Sequence, residues 1–194
     1  MATLEQIKNL RERTGAGIVD VKKALEEADG NEDKAIELLR KRGKEKALKK
    51  SDRAAGEGVI AAYVHSNHRV GAIVRLLCET DFVARNEEFK ALAQDIAMHI
   101  TASNPQYLKP EDVPQELIEK EKEIWSAQLE NEKKPAEIMA KIMEGKEKKF
   151  REEISLLTQP FVKNPDQTIG ELITEKIGKI GENIQVGEFS RLEL

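Results

Sequence analysis

Apolar positions recur every third or fourth residue through the first part of the chain. Leu4, Ile7 and Leu10 are spaced by three, and Val21, Ala24, Leu25 and Ala28 stand at i, i+3, i+4 and i+7, the spacing of one helical face. Ala35, Leu38 and Leu39 mark the buried side of a third helix. The punctuation agrees with the period. Thr3-x-x-Gln6 is a capping-box pattern, and Gly15 ends the first helix where a residue without a Cβ turns left-handed. Asp29-Gly30-Asn31 breaks the second helix, Asn31 caps the third, and Gly43 closes it. Residues 1–43 are therefore predicted to form three short helices around one small core, with residues 44–55 as a basic helical linker.

From Gly58 the pattern changes. Gly58 to His65 (GVIAAYVH) and Val70 to Glu79 (VGAIVRLLCE) are β-rich runs joined by Ser66-Asn67-His68-Arg69, a four-residue hairpin connection. Phe89, Leu92, Ala93, Ile96 and Ile100 mark a helix capped by Asn86, with Glu87 and Glu88 complementing the dipole of its first turn. After an irregular stretch from Pro105 to Pro114 come two long charged helices, Pro114 to Asn131 and Pro135 to Leu157. Their narrow stripes (Leu117, Ile118, Ile124, Trp125; Ile138, Met139, Ile142, Met143) predict an antiparallel helical hairpin standing off the core. Thr168-x-x-Glu171 opens a further helix bearing Ile169, Leu172, Ile173 and Ile177. Ile184, Val186 and Phe189 then read as a last strand, able to complete a three-stranded antiparallel sheet. The fold class is α+β, with residues 56–194 as the core domain and the hairpin inserted at about 114–157.

Composition narrows the function more than the fold. The 194 residues are 35% charged and 4% aromatic with a net charge of −4, a balance of solvated helical faces without a global pull toward nucleic acid. No apolar run approaches the ~20 residues of a membrane span, and the charged start is unlike a signal peptide. The single cysteine, Cys78, cannot form an internal disulfide and reads as a small strand hydrophobe, so a cytoplasmic setting is expected. Phosphate-cradling loops, paired Cys/His metal spacing and the nucleophile elbow are all missing from the sequence, which argues against an enzyme and against a resident metal. The run Arg40 to Lys50 (RKRGKEKALKK) admits two readings. It is either a patch for RNA or a solvated helix, and it has no interleaved aromatic to stack on bases.

The stretch Cys78 to Asn86 (CETDFVARN) ends an apolar run on an acid and a ring. Thr80-Asp81 supplies turn chemistry, while Phe82 admits two placements. It either folds under the next helix or is held out as an anchor, with Asp81 carrying a fixed charge into the same contact.

Three stretches together carry a resemblance: Leu10 to Asn31 (LRERTGAGIVDVKKALEEADGN), Cys78 to Phe89 (CETDFVARNEEF) and Lys179 to Ile184 (KIGENI). Spread over the whole chain, they resemble elongation factor Ts, the bacterial exchange factor family of translation. The resemblance implies that residues 1–43 are a ubiquitin-associated-type domain contacting the G domain of elongation factor Tu through Arg11, Ile18 and Val19. Longer members have methionines at the last two of these places. It further implies that Thr80, Asp81, Phe82 and Val83 reach toward the partner's magnesium site, and that Ile180 and Gly181 touch its G domain. Only one TDFVARN is present, so the chain is similar to the short form, in which a homodimer supplies the second half. No cofactor, membrane or nucleic acid is required by this expectation.

Overall fold

The structure is a computed structural model and describes residues 2–129 and 135–194. Its fold class is α+β, with a three-stranded antiparallel sheet. Helix α1 (Leu4–Thr14) starts at the predicted capping box: the Thr3 hydroxyl accepts from the Gln6 N–H, and Gln6 Oε1 accepts from the Thr3 N–H. It stops at Gly15 with φ +65°. Helix α2 (Ile18–Glu27) buries Val21, Ala24 and Leu25. The left-handed pair Asp29 and Gly30 then leads to Asn31, whose side chain caps α3 (Glu32–Leu48) at 3.0 Å from the Lys34 N–H. Leu10, Val21, Ala24, Leu25, Ala35 and Leu39 form one shared core.

The helix predicted to close at Gly43 instead runs through it to Leu48. Residues 44–48 (KEKAL) are good helix formers, and two ion pairs hold them in register: Lys44 to Glu171 at 3.2 Å and Lys46 to Asp20 at 2.7 Å. The chain turns only after Lys49, where the Ser51 hydroxyl donates to the Leu48 carbonyl.

Strands β1 (Glu57–Val64) and β2 (Val70–Cys78) form the predicted hairpin, closed by His68 at φ +55° and by the Asn67 side chain accepting from the Arg69 N–H. β2 alternates, burying Ala72, Val74, Leu76 and Cys78. A four-residue helix, α4 (Asp81–Ala84), follows immediately, and α5 (Glu87–Ser103) buries Phe89, Leu92, Ala93, Ile96 and Ile100. Asn86 caps α5, its Oδ1 2.7 Å from the Glu88 N–H.

Helices α6 (Gln115–Leu129) and α7 (Ala136–Glu153) run antiparallel, with Gln115 bonded to Arg151 and Lys122 paired with Glu147. The predicted end of the first at Asn131 lies outside the described residues. Trp125 packs edge-on against Phe150, ring centroids 5.8 Å apart. Arg151 fastens the base of the pair by donating to the carbonyls of Pro110 and Val113. Two short strands unforeseen in the sequence, β3 (Pro160–Phe161) and β4 (Asn164–Thr168), pair antiparallel before α8 (Ile169–Ile180). The chain ends on β5 (Gln185–Glu193), which lies beside β2 in the order β1-β2-β5.

The chain divides into two compact units. One comprises residues up to Ala61, Ile73–Gln94 and Glu171–Phe189; the other Ala62–Ala72, Asp95–Gly170 and Ser190–Leu194. All three stretches that carry the family resemblance fall in the first. Among the described residues no helix is long and apolar enough to cross a membrane.

Candidate functional site

The corner after β2 is built from its hydroxyl outward. Thr80, in extended conformation, caps α4 by accepting from the Val83 N–H. The helix is too short to bury a full face, and only Ala84 goes inward. Phe82 points out and is 80% exposed, so the placement left open by the sequence is the presented one. Asp81 is half-buried and paired one turn on with Arg85, at 2.9 Å. Val83 is half-buried. With Thr80 capping α4 and Asn86 capping α5 straight after it, the ring projects from a segment with little backbone freedom.

Ile180 and Gly181 stand at the end of α8. Gly181 has φ +91° and donates its N–H to the Ile177 carbonyl, which ends the helix in the left-handed turn that glycine permits. Its own carbonyl accepts from Lys50 Nζ. Burial, reinforced by nearby Arg53, holds the Lys50 ammonium below its ordinary range.

The structure brings these two segments together. Glu182 Oε2 accepts the N–H groups of Glu79 and Thr80 at 3.1 and 3.0 Å, and its Oε1 accepts the Thr80 hydroxyl at 2.6 Å. In return Glu79 Oε1 accepts the Asn183 N–H at 2.6 Å. The buried Asn183 amide donates to the carbonyls of Ser51 and Arg53. Beneath the corner, the Cys78 thiol donates to the Thr80 carbonyl; burial, then the Glu182 charge, pushes it above its ordinary range. Sequence reasoning singled out neither Glu182 nor Asn183. No local pattern announces a bond spanning 102 residues.

Arg11, Ile18 and Val19 lie on α1 and α2. All three are exposed, Ile18 by 54% and Val19 by 64%. No hydrogen bond or ion pair among the described residues joins them to the corner. The turn between their helices nonetheless lies against α8. The Lys179 chain lies over Gly15, where a Cβ would come within 2.9 Å of its Cδ. Lys179 and Lys176 both bind Glu88, at 2.6 and 2.7 Å. Burial opposes ionisation of Glu88, but the two lysines prevail and hold its carboxyl below the ordinary range.

The basic run is largely engaged within the chain. Arg42 pairs with Glu27, Lys44 with Glu171, Lys46 with Asp20, and Lys50 with the Gly181 carbonyl. Arg40, Lys41 and Lys49 make no ion pair among the described residues. That leaves a thin basic surface for a phosphate backbone.

The sequence profile of one protein family, described as Elongation factor TS, matches residues 4–194. Elongation factor Ts of Carboxydothermus hydrogenoformans is 56% identical over 194 residues, covering 100% of this chain and 89% of its own. That of Alkaliphilus oremlandii is 55% identical over 192 residues, covering 99% and 88%. That of Thermodesulfovibrio yellowstonii is 54% identical over 192 residues, covering 99% and 96%.

Proposed function

The chain belongs to the elongation factor Ts family, and from that premise we propose that it is a guanine-nucleotide exchange factor acting on elongation factor Tu in the cytoplasm. The observation that carries this reading is Phe82, a ring 80% exposed on a doubly capped corner beside an acid. An apolar ring of that size gains about 1.5–3 kcal/mol when a partner's pocket buries it. A fixed mount limits the ordering entropy lost on docking.

A GTPase of the P-loop class holds GDP through backbone amides around the β-phosphate, a lysine and Mg²⁺. An exchange factor must bind the nucleotide-free state better than the loaded one, or it shifts nothing. Phe82 wedges between partner side chains, while Asp81 disturbs the groups that orient the Mg²⁺ shell. Thr80 and Val83 hold the wedge at its depth. The three-helix unit, read as a ubiquitin-associated-type domain, rests on the G domain through Arg11, Ile18 and Val19, and Ile180 and Gly181 add a second contact there. No bond is made or broken, and the chain needs no cofactor of its own. It works as a homodimer, a reading supported by the single TDFVARN and by the exposure of Ile60 and Ile73 on β1 and β2.

Because coupling is reciprocal, GDP must loosen the exchange factor by the same factor that the exchange factor loosens GDP. Titration calorimetry of the chain against elongation factor Tu tests this. Tight binding without nucleotide, and binding weakened at least about a hundredfold at saturating GDP, is expected. Affinity indifferent to GDP would refute the exchange reading.

A further inference from the structure

Where β2 ends, one carboxylate organises everything that follows. The N–H groups of Glu79 and Thr80 share Glu182 Oε2, and the Thr80 hydroxyl meets Oε1. An ionised carboxylate can only accept, so it dictates which way the Thr80 proton points. The hydroxyl donates to Glu182 and is left with its lone pairs toward the Val83 N–H, which it caps. The direction of the first turn of α4, and with it the direction of Phe82, is thereby set by a residue 102 positions away.

Glu182 is itself held on both sides. Before it, the Gly181 carbonyl takes Lys50 Nζ. After it, the Asn183 N–H is bound by Glu79, and its buried amide is bound by the 51–53 turn. The arrangement is a reciprocal clamp: the Glu182 side chain holds the backbone at 79–80, and the Glu79 side chain holds the backbone at 183. A clamp with both jaws anchored can fix an angle, which a lone surface hydrogen bond cannot.

We propose that Glu182 is the positioning residue of the exchange corner: it aims Phe82 and Asp81 by fixing the Thr80 cap. The inference rests on the exchange reading above. Without the carboxylate, two N–H groups and a hydroxyl lose their acceptor, and the ring samples many directions. The docking surfaces keep their own holds: Arg11, Ile18 and Val19 have no bond to the clamp, and the Ile180–Gly181 segment is still fixed by the Lys50 and Asn183 bonds, none of which uses the Glu182 side chain. The loss therefore falls on the rate of release from the complex and spares the concentration needed to form it.

Length and hydrogen-bonding capacity matter more than charge in this role. In Glu182→Gln the amide oxygen can replace Oε2, and its NH₂ can donate to the Thr80 oxygen, whose second lone pair still accepts the Val83 N–H, so the cap is kept with the hydroxyl proton turned away. In Glu182→Asp the charge is kept, but the side chain is one methylene too short to span the same groups.

The test is stopped-flow release of labelled GDP from elongation factor Tu, with the full-length chain titrated to saturation. The parent, Glu182→Ala, Glu182→Gln, Glu182→Asp and Phe82→Ala are compared, and thermal melts identify the folded variants. For Glu182→Ala the plateau rate should fall about tenfold while the half-saturating concentration stays within about threefold. Glu182→Gln should remain within about threefold of the parent plateau, and Glu182→Asp should fall with Ala. Should the alanine variant fail to melt cooperatively, the Gln and Asp pair decides: an impaired Gln beside an unimpaired Asp overturns the proposal. A parent-like plateau for Glu182→Ala with a depressed Phe82→Ala overturns the positioning role alone. Phe82→Ala releasing GDP as fast as the parent overturns the exchange corner and the positioning role together.

Discussion

Phe82 and His99 show opposite uses of a ring. Phe82 is withheld from the core by a helix too short to turn it inward. His99 is wholly buried, and its two nitrogens are matched to opposite partners. The Val162 N–H donates to Nδ1 at 3.3 Å, so the ring proton sits on Nε2 and donates to Gln159 Oε1 at 3.0 Å. The Gln159 amide is oriented in turn by donating to the Glu153 carbonyl. A second ring proton would face the Val162 donor in a buried setting. Burial accordingly holds the His99 pKa below its ordinary value, against the opposing pull of the Gln159 bond. The unfolded chain takes up the proton first, so this contribution to stability is complete above the unfolded value near 6.5 and is lost as pH falls below it. Urea midpoints at about pH 7.5 and about pH 5.5 check this. The parent should lose more stability between them than His99→Gln, and equal losses would contradict the assignment. Little of this residue-scale detail was legible in the sequence. Capping by Thr3, Asn31 and Asn86 was, because cap and capped residue lie three or fewer positions apart. The partners of His99 and Glu182 were not, because nothing local encodes them.

At the scale of elements, Gly15 and Gly43, one at a helix end and one inside a helix, should respond in opposite directions to alanine. Gly15 sits at φ +65° under the Lys179 chain, so Gly15→Ala should destabilise by about 1–2 kcal/mol. Gly43 lies inside α3 with nothing within 4 Å of a Cβ. Gly43→Ala should therefore stabilise by about 0.5–1 kcal/mol. Had Gly43 closed the helix as expected from the sequence, and done so in a left-handed turn, the same change would destabilise. Denaturant midpoints of the two variants separate the cases. Long periodic elements were legible for a physical reason: Val21 to Ala28 and Phe89 to Ile100 repeat a face often enough to define it. The helix α4 and the strands β3 and β4 are too short to show a period, and β4 reads as a loop because Asn164, Pro165 and Asp166 are turn formers.

At the scale of the molecule, family membership places the chain in translation elongation, and the proposed exchange reaction makes demands on the whole. One demand is a second copy. Sedimentation equilibrium at micromolar concentration should give twice the chain mass, and Ile60→Lys should reduce it to the chain mass, whereas a monomeric parent would remove the dimer from the account. The other demand concerns the corner and decides the central claim. Labelled-GDP release from elongation factor Tu is followed at rising concentrations of the parent and of Phe82→Ala. Losing about 1.5–3 kcal/mol of ring burial corresponds to a fall of about ten- to a hundredfold. The expected result is a parent rate climbing to a plateau well above spontaneous release, with the Phe82→Ala plateau lower by that factor. A parent that leaves GDP release unchanged, or a Phe82→Ala plateau equal to the parent's, would contradict it.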